Sequence, residues 1–326
     1  MPEDFNKLMG IILLEGFEYG DIASQQFDNF PGRSGTQKRT GSFAADVGVS
    51  TLNKNVSNLT GLTVGAGFWA NSTGANLIRL REGGNDQLFV VVESDRSISV
   101  RRGSSTGSII GQTAAGLFVT SAWNYIELLT QMADSAALEL WFNDDQKLNL
   151  TGVDTTNTSN QYASEIRLGG SFVDDVYIGD TNADRLGDVR VELRNVNAAG
   201  TYTEWTPSTG SNYQNVDESP GHDSDSTYNK SATVGQRDTY NMTSLAATSG
   251  LIKVVEPIAV MRKDDATLRQ AALLLKAGST LDVGSTETLG LTYAAYRKRY
   301  VINPDTGVAF TISEVNALEA GVKVIT

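Results

Sequence analysis

Trp123-Asn124-Tyr125-Ile126-Glu127-Leu128, Ala133-Asp134-Ser135, Leu138-Glu139-Leu140-Trp141-Phe142 and Asn143-Asp144-Asp145 decide the fold class. Trp123, Tyr125 and Glu127 alternate with Asn124, Ile126 and Leu128, the period of two that a half-buried strand imposes. Ala133-Asp134-Ser135 turn the chain, and Leu138 to Phe142 bring it back. Asn143-Asp144-Asp145 turn it again, since Asn and Asp tolerate left-handed backbone angles. Gln87 to Glu93 makes an earlier hairpin with Ile98 to Arg101 through Ser94-Asp95-Arg96-Ser97. Ser164 to Gly170 and Phe172 to Ile178 read as a closing pair of strands, and the apolar run Leu8 to Leu14 as a buried first strand. Short runs broken by Gly, Asn, Asp and Ser continue to about residue 180, the rhythm of a β-sandwich.

Composition narrows the function. The chain has 326 residues with a net charge of -12, no cysteine and one histidine, His222. Acidity argues against a nucleic-acid partner, which needs clustered Lys and Arg. The absence of cysteine removes disulfides and thiolate chemistry, and a lone histidine nearly removes metal triads and Ser-His-Asp catalysis. Seven apolar residues fall short of the roughly 20 a membrane helix requires, so no membrane insertion is expected. The Asn-x-Ser/Thr triplets at Asn55, Asn58, Asn71 and Asn149 are expected by chance in so Asn-, Ser- and Thr-rich a chain.

The second half opens near residues 179–188, which gives domains at 1–181 and 182–326. Val189, Val191 and Leu193 alternate with Arg190, Glu192 and Arg194, predicting a strand. Tyr202 to Asp225 is a long polar passage holding Trp205, Pro207, Pro220 and His222; loops of that length are normally functional or packed on another surface. Gly250 to Val255 and Ile258 to Arg262 read as strands. Propensity favours a helix from Asp264 to Lys276 with Gly278 as its stop. Thr311-Ile312-Ser313-Glu314 is a capping box that opens a short helix through Leu318, stopped by Gly321 and followed by a strand through Val322, Val324 and Ile325.

Leu14-Glu15-Gly16-Phe17-Glu18, Trp123-Asn124-Tyr125-Ile126-Glu127, Leu140-Trp141-Phe142-Asn143 and Phe172-Val173-Asp174-Asp175-Val176-Tyr177-Ile178 resemble concanavalin A-like (laminin G-type) jelly-roll domains, common in tailed-bacteriophage proteins. The second half is similar to a module that accompanies such jelly rolls in phage structural proteins, on Leu186 to Val191, Glu204 to Ser208, Val216-Asp217-Glu218, Asn303 to Gly307 and Glu314 to Gly321. Phe310 departs from the Trp expected before the terminal helix. The resemblance implies an all-β chain of two β-sandwich (jelly-roll) domains with a short C-terminal helix, and makes Leu268 to Lys276 a strand against its propensity. It also implies a non-enzymatic virion structural protein assembled in the host cytoplasm: a tail fibre or tail appendage with host surface glycan contact. The alternatives are a capsid decoration or head-fibre protein and a polysaccharide-degrading enzyme. Its partners would be other virion proteins and copies of itself in a homo-oligomer built through sandwich surfaces, since no sustained heptad run exists.

Few residues offer chemistry. Asp180-Thr181-Asn182-Ala183-Asp184 starts like a calcium loop, then supplies Arg185 and Val191 where an EF-hand needs Gly and Glu. A looser structural calcium site could add Asp174 or Asp175, against the simpler reading of a solvated turn. No other cofactor is implied. His222-Asp223-Ser224-Asp225 reads as an exposed polar loop, because an unpaired histidine lacks an orienting partner. Glu127 and Glu139 fall on adjacent strands, the separation a glycosidase pair would exploit, but each is more simply an outward residue. Trp123 and Trp141 read as core. Trp205, in the polar passage, is the best ligand-binding candidate, as an aromatic face offers sugars an apolar platform. Arg79, Arg81, Arg101 and Arg102 suggest a subunit contact.

Overall fold

The computed structural model describes residues 10–20, 25–181, 184–219 and 221–326. The chain divides into two compact units: Gln26–Val191 with the described residues of Met1–Glu18, and Glu192–Thr326 with those of Tyr19–Gln25. Residues 184–191 therefore belong with the first unit, beyond the boundary read at 181/182.

The first unit is a jelly-roll-like sandwich of two antiparallel sheets. One sheet runs, in spatial order, Asp145–Val153, Ala136–Phe142, Trp123–Gln131, Gly61–Trp69, Phe172–Asp180, Ala44–Asp46 and Arg33–Ser34; Ile11–Glu15 also pairs with Phe172–Asp180. The other runs Leu52–Leu59, Ala163–Leu168, Asn76–Glu82, Asn85–Val92, Ile98–Arg102 and Ser108–Gln112. Alternation sorts the side chains: Val64, Ala66, Phe68, Ile126, Leu128, Leu138 and Leu140 turn inward with Ile78, Leu80, Leu88, Val90 and Ile166, all buried. Each buried Val, Leu, Ile or Phe contributes about 1.5–3 kcal/mol. The Asn143-Asp144 turn has both residues at positive φ (47° and 73°), which a two-residue type I′ hairpin requires.

Two readings of this half change. Ala163–Leu168 and Phe172–Asp180 do not pair with one another: they lie in opposite sheets, and the Gly169-Gly170 link crosses between them. Trp123 and Trp141 are not core. They sit half-buried on the outer face of the first sheet, because their parity follows Tyr125 and Glu127 rather than Ile126 and Leu128. The first strand is observed at Ile11–Glu15; Leu8 and Met9 lie outside the described residues.

The second unit is a smaller antiparallel module. Its five-stranded sheet runs Val196–Thr203, Arg237–Met242, Glu319–Val324, Gln270–Ala277 and Thr280–Thr288. Two ribbons accompany it, Thr206–Pro207 with Asn229–Lys230 and Ile258–Met261 with Ala294–Arg297. Ala271, Leu273 and Val322 of the sheet pack against Met261, Ala259 and Tyr296 of the second ribbon. The same face continues through Leu275 and Ala277 to Phe310, Val315 and Leu318, so Phe310 fills the place expected of a Trp.

Gln270–Ala277 is a strand. Its helical propensity yields because Ala271, Leu273 and Leu275 need one apolar face against two neighbouring strands. The capping box at Thr311 forms as read, with the Thr311 side chain accepting the Glu314 N–H. The helix is Ile312–Asn316 and ends before Gly321, which instead lies inside the final strand. Arg194 donates to the carbonyls of Val315 and Asn316 and so satisfies that helix end. Two predicted strands are absent. Gly250 to Val255 keeps a single bridge, Val255 to Tyr300, and Val189 to Leu193 belongs to no strand. The latter segment gives its backbone to side chains: Val191 N–H donates to Asp175 at 2.8 Å, and the Val189 carbonyl accepts from Arg39 at 2.8 Å.

Candidate functional site

The outer face of the first sheet carries Trp123, Glu127, Glu139 and Trp141, and the 184–191 segment of the chain covers it at Glu127. Gly65 and Gly67 leave a trough on the Gly61–Trp69 strand. A methyl group at Gly65 would lie 2.1 Å from the Tyr177 ring, and one at Gly67 2.5 Å from the Arg39 side chain. Tyr177 fills this trough and donates to Glu127 at 2.5 Å. Arg185 also reaches Glu127 at 2.5 Å and stacks 4.0 Å above the Trp141 ring, while the Gly187 N–H adds a third donor. Burial pushes the Glu127 carboxyl up and these donors pull it down; burial raises the Tyr177 hydroxyl well above the usual phenol range. Glu127 is thus not a solvated outward residue. It fastens the 184–191 segment across the sheet, with Leu186 buried beside Tyr125 and Tyr177. Glu139 shares the face but accepts from Trp141 and Gln146 at 2.9 and 3.0 Å.

The two carboxylates considered for calcium belong to the same fastening. Asp175 sits at a bulge with φ 50°. It accepts from Arg39, Thr40 and Val191. Asp174 takes the backbone N–H groups of Arg39, Thr40 and Asp175. Burial raises both carboxyls; the charge of Asp175 raises Asp174 further, while Arg39 pulls Asp175 back down. Their oxygens are spent on protein donors, so they do not fit a hard cation that needs six or more free ligands. Asp180 ends its strand and Asp184 starts the covering segment, while Asn182 lies outside the described residues. Among the described residues no group of three or more His, Asp or Glu is arranged to hold a metal. Arg79, Arg81, Arg101 and Arg102 all pair with carboxylates of their own unit: Asp86, Glu165, Glu93 and Asp154.

The second unit brings together two readings that the sequence kept apart. A cavity of about 680 Å³ lies over its sheet, lined by Trp205, His222, Asp225, Tyr228, Arg262 and Tyr293 among others. The floor is Leu273, Val322 and Tyr240 of the sheet. Trp205 closes one side, packed against the Met261, Ala271, Leu273 and Val322 cluster, with its indole N–H 3.3 Å from the Gln236 carbonyl. Its backbone N–H donates to Asp238 at 2.9 Å, which holds the passage to the sheet.

The polar loop is built, not loose. Asp223 accepts from the Thr227 N–H and hydroxyl at 3.2 and 2.8 Å, and Ser224 takes a left-handed φ of 63° between two acidic neighbours. The Ser224 N–H donates to His222 Nδ1 at 3.2 Å, which leaves the neutral ring's proton on Nε2. The His222 ring lies 4.9 Å from that of Tyr293. The Tyr293 hydroxyl donates toward Asp225 at 2.8 Å, and Arg262 pairs with Asp225 at 2.8 Å while leaning over the Tyr293 ring. Arg262 and the Tyr293 hydroxyl hold Asp225 below the usual carboxylate range. Tyr293 and Arg262 were missed in the sequence, since neither stands in a motif and each lies more than 30 residues from the loop it meets.

No family model matches the chain, and no curated protein matches it in sequence. Solved structures are similar over part of the chain. The cellulose-induced protein Cip1 is 13% identical, covering 54% of this chain and 100% of its own, at a TM-score of 0.39. Galectin LEC-6 from Caenorhabditis elegans is 13% identical over 40% of this chain and 90% of its own, at 0.31. Domain 4 of AbnA, an extracellular GH43 arabinanase from Geobacillus stearothermophilus in complex with arabinotriose, is 12% identical over 51% and 92%, at 0.33.

Proposed function

We propose that the chain is a non-enzymatic structural protein of a tailed-phage virion, a tail fibre or tail appendage whose second unit contacts host surface glycan. The virion half of this reading rests on the concanavalin A-like and companion-module resemblance of the sequence. The glycan half rests on one observation: Trp205 and the His222–Asp225 loop line a single cavity, together with Tyr228, Tyr293 and Arg262. Its volume falls in the range of small-molecule sites, about 300–1,000 Å³. Aromatic faces next to fixed hydrogen-bonding groups are the chemistry that orients a sugar. Glu127 and Glu139 offer a hydrolase nothing comparable, as Glu127 is engaged by three donors beneath the 184–191 segment.

The test is competition for adsorption. Purified protein added to host cells slows adsorption of the parent phage, and a His222→Ala variant competes less well. Unchanged adsorption at saturating protein contradicts a host-contact role.

A further inference from the structure

We infer that the cavity of the second unit takes a short neutral oligosaccharide and discriminates against sugars that carry carboxylate or sulfate. This rests on the glycan-contact reading above and adds the class of ligand.

Charge carries the first step. Four cations line the cavity, Lys230, Arg262, Lys263 and Arg269, against four carboxylates, Glu218, Asp223, Asp225 and Asp264. Three of the cations are already engaged. Arg262 pairs with Asp225 at 2.8 Å, Arg269 pairs with Asp265 at 2.6 Å, and the Lys263 ammonium donates to the Thr267 carbonyl at 2.6 Å. Recognition of an acidic sugar favours an Arg fork open to both oxygens of the anion. Here it would meet only exposed Lys230, within a chain of net charge -12.

The second step is the balance of polar and apolar lining. Sugar hydroxyls both donate and accept. The site supplies acceptors at Asp225, Asp223 and the Tyr293 hydroxyl oxygen, whose own proton goes to Asp225, and donors at His222 Nε2 and the Arg262 N–H groups not spent on Asp225 and the Lys263 carbonyl. A wholly apolar ligand of the same size would cover these groups without replacing their water, at the cost of burying unpaired polar atoms. Trp205, Tyr228 and the tilted His222–Tyr293 pair give the C–H faces of a pyranose their platform.

The full-length protein is applied to an array of neutral gluco-, manno- and galacto-oligosaccharides beside sialylated, uronate and sulfated ones, and hits are titrated by calorimetry. Neutral oligosaccharides bind, and Tyr293→Phe weakens them about three- to tenfold. This variant keeps the ring and removes only the hydroxyl, so circular dichroism and melting stay as in the parent. Preferential binding of acidic glycans, weakened by Tyr293→Phe, overturns the neutral class and keeps the glycan reading. Neutral binding untouched by both Tyr293→Phe and His222→Ala overturns the cavity as the site. No binding across the array overturns the inference and the glycan reading together.

Discussion

Single residues show how far local chemistry decides what the outer faces do. Tyr177 reads in the sequence as one more aromatic of a strand, yet it anchors the covering segment by donating to buried Glu127 and accepting the Leu186 N–H at 3.0 Å. Tyr177→Phe leaves that carboxylate short of a donor and is expected to cost about 2 kcal/mol in urea unfolding; an unchanged midpoint contradicts the fastening role. Glu319 is the counterpart in the second unit. Burial works to raise its carboxyl, but the Thr201 N–H, the Thr239 and Thr201 hydroxyls and Lys276 outweigh burial and hold it at about 2 against an ordinary 4.5. A depressed folded value means the stabilisation is complete above about pH 4.5 and is lost as pH falls toward 2. Thermal melts of Glu319→Gln should therefore show a shallower loss between pH 4.5 and 2 than the parent. An identical slope would remove Glu319 from the account. Neither residue was legible as a keystone, because burial of a polar group depends on what the rest of the chain lays over it.

Among elements, alternation identified strands well and their partners poorly. The hairpins around Asp95 and Asp134 were plain, since turn chemistry and parity agree there. Ser164 to Gly170 and Phe172 to Ile178 read as a closing pair of strands on the same alternation, but a crossover between sheets leaves the same pattern of residues. Val189 to Leu193 shows a further limit: its parity is real, with Val189 packed toward Tyr125 and Tyr177, but the Asp175 carboxylate and the Arg39 guanidinium, rather than a neighbouring strand, bond its backbone. Gly321 was read as a helix stop and is a close-approach residue instead. A methyl group there would lie 1.9 Å from the Asp238 carbonyl oxygen in the adjacent strand. Gly321→Ala should lower stability by about 3 kcal/mol through forced separation of these strands, read as a fall in melting temperature. A variant that melts with the parent shows that the strands can part freely.

For the whole molecule, sequence and structure agree on an all-β chain of two units with, among the described residues, one short helix near the end. The site was half legible: Trp205 and His222 were both in view, but their meeting with Tyr293 and Arg262 comes from sheet topology that a linear reading does not contain. The covered outer face of the first unit moves the candidate contact to the second, and places the fastened 184–191 segment at the chain position where one unit gives way to the other. The central claim is that this chain is a virion component of the tail. Immunogold labelling of intact particles with an antibody against the chain tests it most directly. The account predicts gold confined to the tail. Gold over the head would move the protein to capsid decoration, and particles without gold would contradict the virion reading altogether.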